Sequence, residues 1–418
     1  MALHLTNTLG GKKERFTPLE PSRVRMYHCG PTVKEHLNVA KFRSYLLADL
    51  LRRYFEVAGF DVLQVMNITD VGHLNAFEED AVEIAAARTG LSAAELVELE
   101  EKVFHDDRKA LHIRDATCYP RAREHIDEMV GVIAGLERRG FTYESGGNLY
   151  FDVRKSPAFG RLAGKSIEDL ARDAPREGGA ASLKKKRHPL DIDLWRTDVA
   201  HQIHWPSPWG RGFPGWHVEC VAMSRKYLDG SFDIHTGTCE NVFPHHECEI
   251  AQAEALSGKP LARFWLHTGL VTVDGQPMSR ENRNLVNVRQ MLDAGFRGSV
   301  IRAALLSEHY RAPLDFGEKA MDRARPRVNA YLGFHEYLAG CVNAQVLPLA
   351  KLDGNTPRWI HDVDVKFFTA LEDDLDWPTA FGSVVDAVER LEPEGVGDPT
   401  VALAALLRWD RVLGLLAP

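Results

Sequence analysis

The first part of the chain runs strand, stop, helix, strand, and that order constrains the fold more than any other feature of the sequence. Arg23 to Cys29 is a short β-type run, and Gly30-Pro31-Thr32 ends it, because proline lacks a backbone N–H and fixes φ. Phe42, Leu46, Leu47, Leu50, Leu51 and Tyr54 then recur at helical spacing, and Gly59 closes the helix. Asp61 to Ile68 reads as a buried strand. Parallel strands cannot be joined by a tight turn, so this order predicts a right-handed crossover within a parallel sheet. The fold class implied is α/β: a Rossmann-like, doubly wound parallel sheet that places ligands beyond its C-terminal strand ends.

Residues 76–140 are mainly helical and polar-faced, which predicts a helical insertion between two halves of the sheet. Leu149 to Val153 reads as a further strand, and Ala174 to Lys186 as a Gly/Ala/Lys-rich loop whose Lys184-Lys185-Lys186-Arg187 run is solvated. The second half of the sheet starts near residue 204. Gly215 to Leu228 is a predicted helix, Phe232 to His235 a strand, His245 to Leu256 a helix, and Arg263 to Val273 strand structure. Beyond residue 296 only helical patterns continue, to Leu416. The expected organisation is a catalytic domain over residues 1–295 and a C-terminal α-helical bundle over 296–418.

Composition narrows the function classes. The 418 residues are 44% hydrophobic and 26% charged, the balance of a globular protein. No apolar run approaches a membrane span, and the start lacks a signal peptide's apolar block, so no membrane partner and a cytoplasmic location are expected. A net charge of −8 disfavours wholesale capture of nucleic acid. Six cysteines without a CxxC pair do not make a disulfide scaffold, so a metal site would be assembled from distant segments.

Four residues stand out for such a site. Cys29 ends the first strand, where α/β sheets place ligands. Cys220 lies one helical turn after Trp216, and Glu249 one turn after His245, so each pair shares a helix face. Two sulfurs, one nitrogen and one oxygen make a tetrahedral set of the softness that suits Zn²⁺.

The words around these residues resemble cysteinyl-tRNA synthetases, a class I family. Met26 to Val33 reads MYHCGPTV, Asn67 to Leu74 NITDVGHL, Pro214 to Ser224 PGWHVECVAMS, Phe232 to Gly237 FDIHTG, and Phe243 to Ala255 FPHHECEIAQAEA. Tyr119 to Ile126, Pro189 to Trp195 and Val271 to Gly275 fall in the same order. The resemblance implies a class I synthetase fold in which Cys29, Cys220, His245 and Glu249 ligate zinc. In that family the zinc binds the substrate cysteine thiolate and thereby rejects serine. Thr69 and Trp216 match residues that line the amino-acid pocket.

The same resemblance exposes departures. The family holds ATP with the HIGH signature at the start of the first helix, the KMSKS loop, and a glycine-rich His-Gly-Gly-Gly-x-Asp run. Here Asn38-Val39-Ala40-Lys41 stands on HIGH, Pro277-Met278-Ser279-Arg280-Glu281 on KMSKS, and His235-Thr236-Gly237-Thr238-Cys239-Glu240 on the glycine run. If ATP, with Mg²⁺, is used, Asn38, Lys41 and Arg280 carry the phosphate charge, and Gly237, Glu240, Met278 and Ser279 the nucleotide. Side chains at Thr236 and Thr238 would crowd a backbone meant to lie against a nucleotide.

From about residue 300 the chain matches the family's helical bundle, with Asp373 to Thr379 as an acidic word, and Pro418 falls about where the anticodon-binding domain would begin. From Ala350 onward six Lys/Arg face thirteen Asp/Glu, a surface that would repel phosphate. The cysteine ligase of mycothiol synthesis, a relative of the family, lacks the anticodon domain in the same way. The expectation is therefore a paralogue that holds cysteine, or a close analogue, on zinc and joins its carboxyl group to a non-tRNA acceptor. A divergent cysteine–tRNA ligase and a non-catalytic cysteine-binding protein are the alternatives.

Overall fold

The computed structural model describes residues 3–71, 80–157, 159–173, 183–197, 203–279, 281–342 and 356–416. Its central sheet has four parallel strands, β1 (Arg23–His28), β2 (Asp61–Met66), β3 (Phe232–Thr238) and β4 (Ala262–Thr268). They run in the order β4-β3-β1-β2. Tyr27 of β1 pairs with Val65 on one side and with His235 on the other. The chain thus winds outward in opposite directions from the β1–β3 pair, which makes the crevice above their C-terminal ends the topological switch point.

Helix α1 (Val39–Val57) makes the first crossover. The Asn38 side chain caps it by accepting from the Lys41 N–H, and Gly59, at φ +89°, turns the chain after its last residues. Phe42, Leu46, Leu50 and Leu51 are fully buried on its inner face. Truncating one such leucine to alanine costs about 2–5 kcal/mol. In the second half, α2 (Trp216–Leu228) and α3 (Glu247–Ser257) carry the other candidate site residues.

The insertion is helical as expected, with helices Ala81–Thr89, Ala93–Ala110 and Ile126–Arg138; residues 72–79 lie outside the described residues. A second sheet follows that the sequence reading did not anticipate. Thr142–Ser145, Asn148–Phe151, Ile192–Arg196 and Phe213–Pro214 form four antiparallel strands. Its hairpin turn at Gly146-Gly147 has positive φ at both glycines, the local signal of a tight hairpin.

Three expectations need correction. Lys186 is not solvated: its ammonium pairs with Asp193 at 2.7 Å, and the Arg187 guanidinium lies over the Tyr143 ring, while 174–182 fall outside the described residues. His245 precedes helix α3, in a wide turn over Val242–His246. The Arg263 to Val273 run is strand structure as expected, divided into β4 and Val271–Val273. Beyond residue 296 the chain is not wholly helical, because Leu314–Asp315 pairs in parallel with Val271–Val273. The helices there are Gly298–Leu305, Glu318–Cys341, Arg358–Glu372, Trp377–Arg390 and Pro399–Leu413. They share one apolar core with α1, and the buried Asp49–Arg302 ion pair at 2.6 Å crosses that contact. Among the described residues no helix is long and apolar enough to cross a membrane.

Candidate functional site

Cys29, Cys220 and the His245–Glu249 pair come from three separate segments and meet above the β1–β3 crevice. Their ligand atoms all lie within 4.8 Å of one another. Cys29 Sγ is 3.9 Å from Cys220 Sγ and donates to Glu249 Oε1 at 3.5 Å. His245 Nε2 is 3.5 Å from Cys220 Sγ and 3.0 Å from Glu249 Oε1. A tetrahedral zinc with bonds of about 2.0–2.3 Å needs edges of roughly 3.3–3.8 Å, so the set fits the ion by type and by spacing. Cys220, His245 and Glu249 are buried, and Cys29 is partly open.

The surrounding shell orients this set. His217 Nδ1 sits 2.9 Å from His245 Nδ1, so an Nδ1–H there leaves Nε2 free to ligate. Trp216 stacks on the His245 ring at 4.3 Å. Burial works against an ionised Glu249, but the His235 and His245 imidazoles outweigh it and hold that carboxyl well below its usual range. Burial would likewise neutralise His245, yet the Glu249 charge and Cys220 push it up to about 10. The hydrogen bond from Cys29 is the main reason that the Cys220 thiol falls to about 6, whereas burial raises Cys29.

Sequence reasoning missed the histidines beneath the cluster. His235 Nε2 meets Glu249 Oε2 at 2.9 Å, and His246 Nε2 is 3.3 Å from Cys29 Sγ and bonds through Nδ1 to His267 at 2.8 Å. Cys29, His235, His246 and Glu249 form a second group with ligand spacing. Burial and mutual repulsion lower His28 and His267 to about 3 and hold His246 well below its ordinary value, so these rings are neutral and can accept. The doubled His245-His246 was the one sequence signal for this layer.

A cavity of about 560 Å³ opens above the cluster. Its inner wall contains Cys29, Cys220, His245, Thr69 and Trp216; Glu249 lies beneath. Asn38 and Lys41 line its outer part, as does His36, which pairs with Glu100 at 2.8 Å. The Lys41 ammonium has no ion-pair partner among the described residues, and it sits in the first turn of α1, where no acidic residue occurs. The Asn38 amide oxygen is engaged as the α1 cap.

The other expected nucleotide residues do not reach this wall. Gly237 lies within β3, where a Cβ would press on His246, and Glu240 sits in the single turn Cys239–Asn241. Met278 packs on the apolar core, and the Ser279 N–H donates to Asn284 at 2.9 Å. None of the four lines the cavity. Arg280 lies outside the described residues. Thr236 and Thr238 are satisfied internally: Thr236 pairs with His28, and Thr238 donates to Asn241 at 2.9 Å.

The family model described as the class I (C) tRNA synthetase catalytic domain matches residues 15–326. The chain is 38% identical over 388 residues to a cysteine–tRNA ligase of Thermococcus gammatolerans, covering 92% of this chain and 79% of that protein. It is 38% identical over 419 residues to a cysteine–tRNA ligase of Geobacter sulfurreducens, covering 99% and 84%. Among solved structures, a Mycobacterium tuberculosis methionyl-tRNA synthetase in complex with methionyl-adenylate matches with TM-score 0.63 at 15% identity, covering 94% of this chain and 89% of that one. The Agrobacterium radiobacter K84 LeuRS, solved with tRNA and LeuAMS, matches with TM-score 0.67 at 12% identity, covering 96% and 85%. The two structures support the fold alone, while the family match and the relatives over nearly the whole chain place it further: the chain belongs to the class I (C) tRNA synthetases, the family of the cysteine–tRNA ligases it matches.

Proposed function

We propose that the chain is a divergent cysteine–tRNA ligase, which holds cysteine by its thiolate at a zinc ion on Cys29, Cys220, His245 and Glu249 and activates its carboxyl group with ATP. The observation that carries this reading is the convergence of those four donors on the inner end of an open cavity. When bound, the ion supplies a soft Lewis-acid centre that takes a thiolate in preference to a hydroxyl. The rest falls to this chain's own residues. Glu249 stays ionised between His235 and His245, His217 sets the His245 tautomer, and Trp216 stands against His245 on the cavity wall.

At the outer end, Lys41 and the N-terminus of α1 supply positive charge for ATP phosphates that enter with Mg²⁺. The substrate carboxylate attacks the α-phosphorus, the bond to the β-phosphate oxygen breaks, and pyrophosphate leaves. Charge that builds on the phosphoryl oxygens in that step is what Lys41 stabilises. Relatives named cysteine–tRNA ligase support tRNA as the acceptor.

One observation favours a second reading, cysteine binding without activation. Gly237, Glu240, Met278 and Ser279 lie off the cavity wall, and the Asn38 oxygen is engaged in capping. Cysteine-dependent ATP–pyrophosphate exchange, followed by charging of total tRNA, separates the readings. Exchange with cysteine but not serine, then charging, is expected. Cysteine binding without exchange selects the second reading, and exchange without charging selects a non-tRNA acceptor. Equal affinity for serine and cysteine overturns all three.

A further inference from the structure

We propose that Asn67 is a positioning residue that ties the Cys29 loop to the Thr69 loop and aims the Thr69 hydroxyl hydrogen into the cavity, where it meets an acceptor atom of the bound amino acid. This rests on the cysteine-binding reading above. The loops that leave β1 and β2 run side by side. The Thr69 N–H donates to the Pro31 carbonyl at 2.9 Å, and the Val33 N–H donates to the Thr69 carbonyl at 3.2 Å. Gly30 allows this approach, because a Cβ there would stand 1.8 Å from the Asn67 carbonyl oxygen.

The orientation of the Asn67 amide follows from its partners. The Gly30 N–H can only donate, so the amide atom 2.9 Å from it is the oxygen. Its Nδ2 therefore faces Thr69 and donates to Oγ1 at 3.0 Å. The Thr69 oxygen is then an acceptor in that bond and keeps its own hydrogen to donate. No acceptor for that hydrogen exists among the described residues, and Thr69 lines the cavity. Both side chains are buried, Asn67 at 1% exposure and Thr69 at 3%, so water does not compete freely for these atoms. The same Asn67 oxygen lies 3.8 Å from Cys220 Sγ. One amide thus touches the segments that bear both sulfurs while it sets the direction of a donor on the pocket wall.

The test is a double-mutant cycle on zinc-loaded, full-length protein, with cysteine binding read by calorimetry and zinc by elemental analysis. Asn67→Ala and Thr69→Val should each weaken cysteine binding about tenfold, the scale of one buried hydrogen bond. The double variant should lose no more than either single one, Thr69→Ser should stay within about threefold of wild type, and zinc should be retained throughout. Additive losses, about 100-fold in the double variant, overturn the proposal. So does a Thr69→Val variant that binds as wild type does. Should Asn67→Ala not fold, Asn67→Asp keeps the acceptor for Gly30 and removes the donor to Thr69; Thr69→Val should then change affinity less than about threefold in that background. A tenfold change there overturns the proposal. A wild-type protein that does not bind cysteine overturns the underlying reading instead, and is seen before any variant is made.

Discussion

The two ends of the cavity are built on opposite plans. At the inner end, Cys29, Cys220, His245 and Glu249 turn their donor atoms toward one another, and a further layer of His217, His235 and His246 holds them there. At the outer end, two of the polar groups on the wall are engaged with the chain itself. The Asn38 amide oxygen caps α1 by accepting from the Lys41 N–H, and His36 pairs with Glu100. The Lys41 ammonium has no ion-pair partner among the described residues. The difference teaches that a recognition site is marked less by polar residues than by donor atoms gathered on one point at ligand spacing.

The comparison is broken or sharpened most strongly at its inner end. Cys220→Ser should reduce zinc from about one per chain to a small fraction and weaken cysteine binding about 100-fold or more, because the ligand itself is lost rather than a group behind it. Circular dichroism should remain native if the metal belongs to the pocket and not to the fold. Full zinc occupancy in this variant would remove the assignment.

The next largest effect belongs to the outer end. Lys41→Ala should lower pyrophosphate exchange by about 100-fold while calorimetry shows unchanged cysteine affinity. An unchanged exchange rate would mean that Lys41 is only a solvated residue at a helix start. Trp216→Ala should cost about tenfold in cysteine affinity, since it removes the ring stacked on His245, with exchange at saturating cysteine little altered.

The smallest effect separates capping from ligand binding. Asn38→Ala should destabilise the protein by about 1 kcal/mol in urea unfolding, and Asn38→Asp should restore most of that. If instead exchange collapses in Asn38→Ala with stability unchanged, Asn38 is a phosphate ligand and the contrast between the two ends fails.

Much of this was legible without coordinates, for local reasons. The apolar spacing of Phe42, Leu46, Leu50 and Leu51 announced α1, and the run before Gly30-Pro31 announced β1. Trp216 with Cys220, one turn apart on α2, announced a shared face. In the antiparallel sheet the Leu149 to Val153 run announced the strand Asn148–Phe151, but its partners Thr142–Ser145, Ile192–Arg196 and Phe213–Pro214 were less legible, because runs of two to five residues are too short to show a period. The helix was started two residues too early, at His245, since a run that contains His245, Glu249 and Gln252 reads the same whether its first residues are helical or turned.

What the sequence by itself determined is the order of strands and helices and the chemical types gathered near the switch point, because periodicity, glycine and proline act over a few residues. What only the tertiary structure decided is which polar atoms are satisfied. His28 finds Thr236, Asn67 finds Gly30 and Thr69, and His235 finds Glu249 only when β1, β2, β3 and α3 pack together. A hydrogen bond depends on tenths of an ångström and on direction, and in this chain those are set by the packing of segments far apart in sequence.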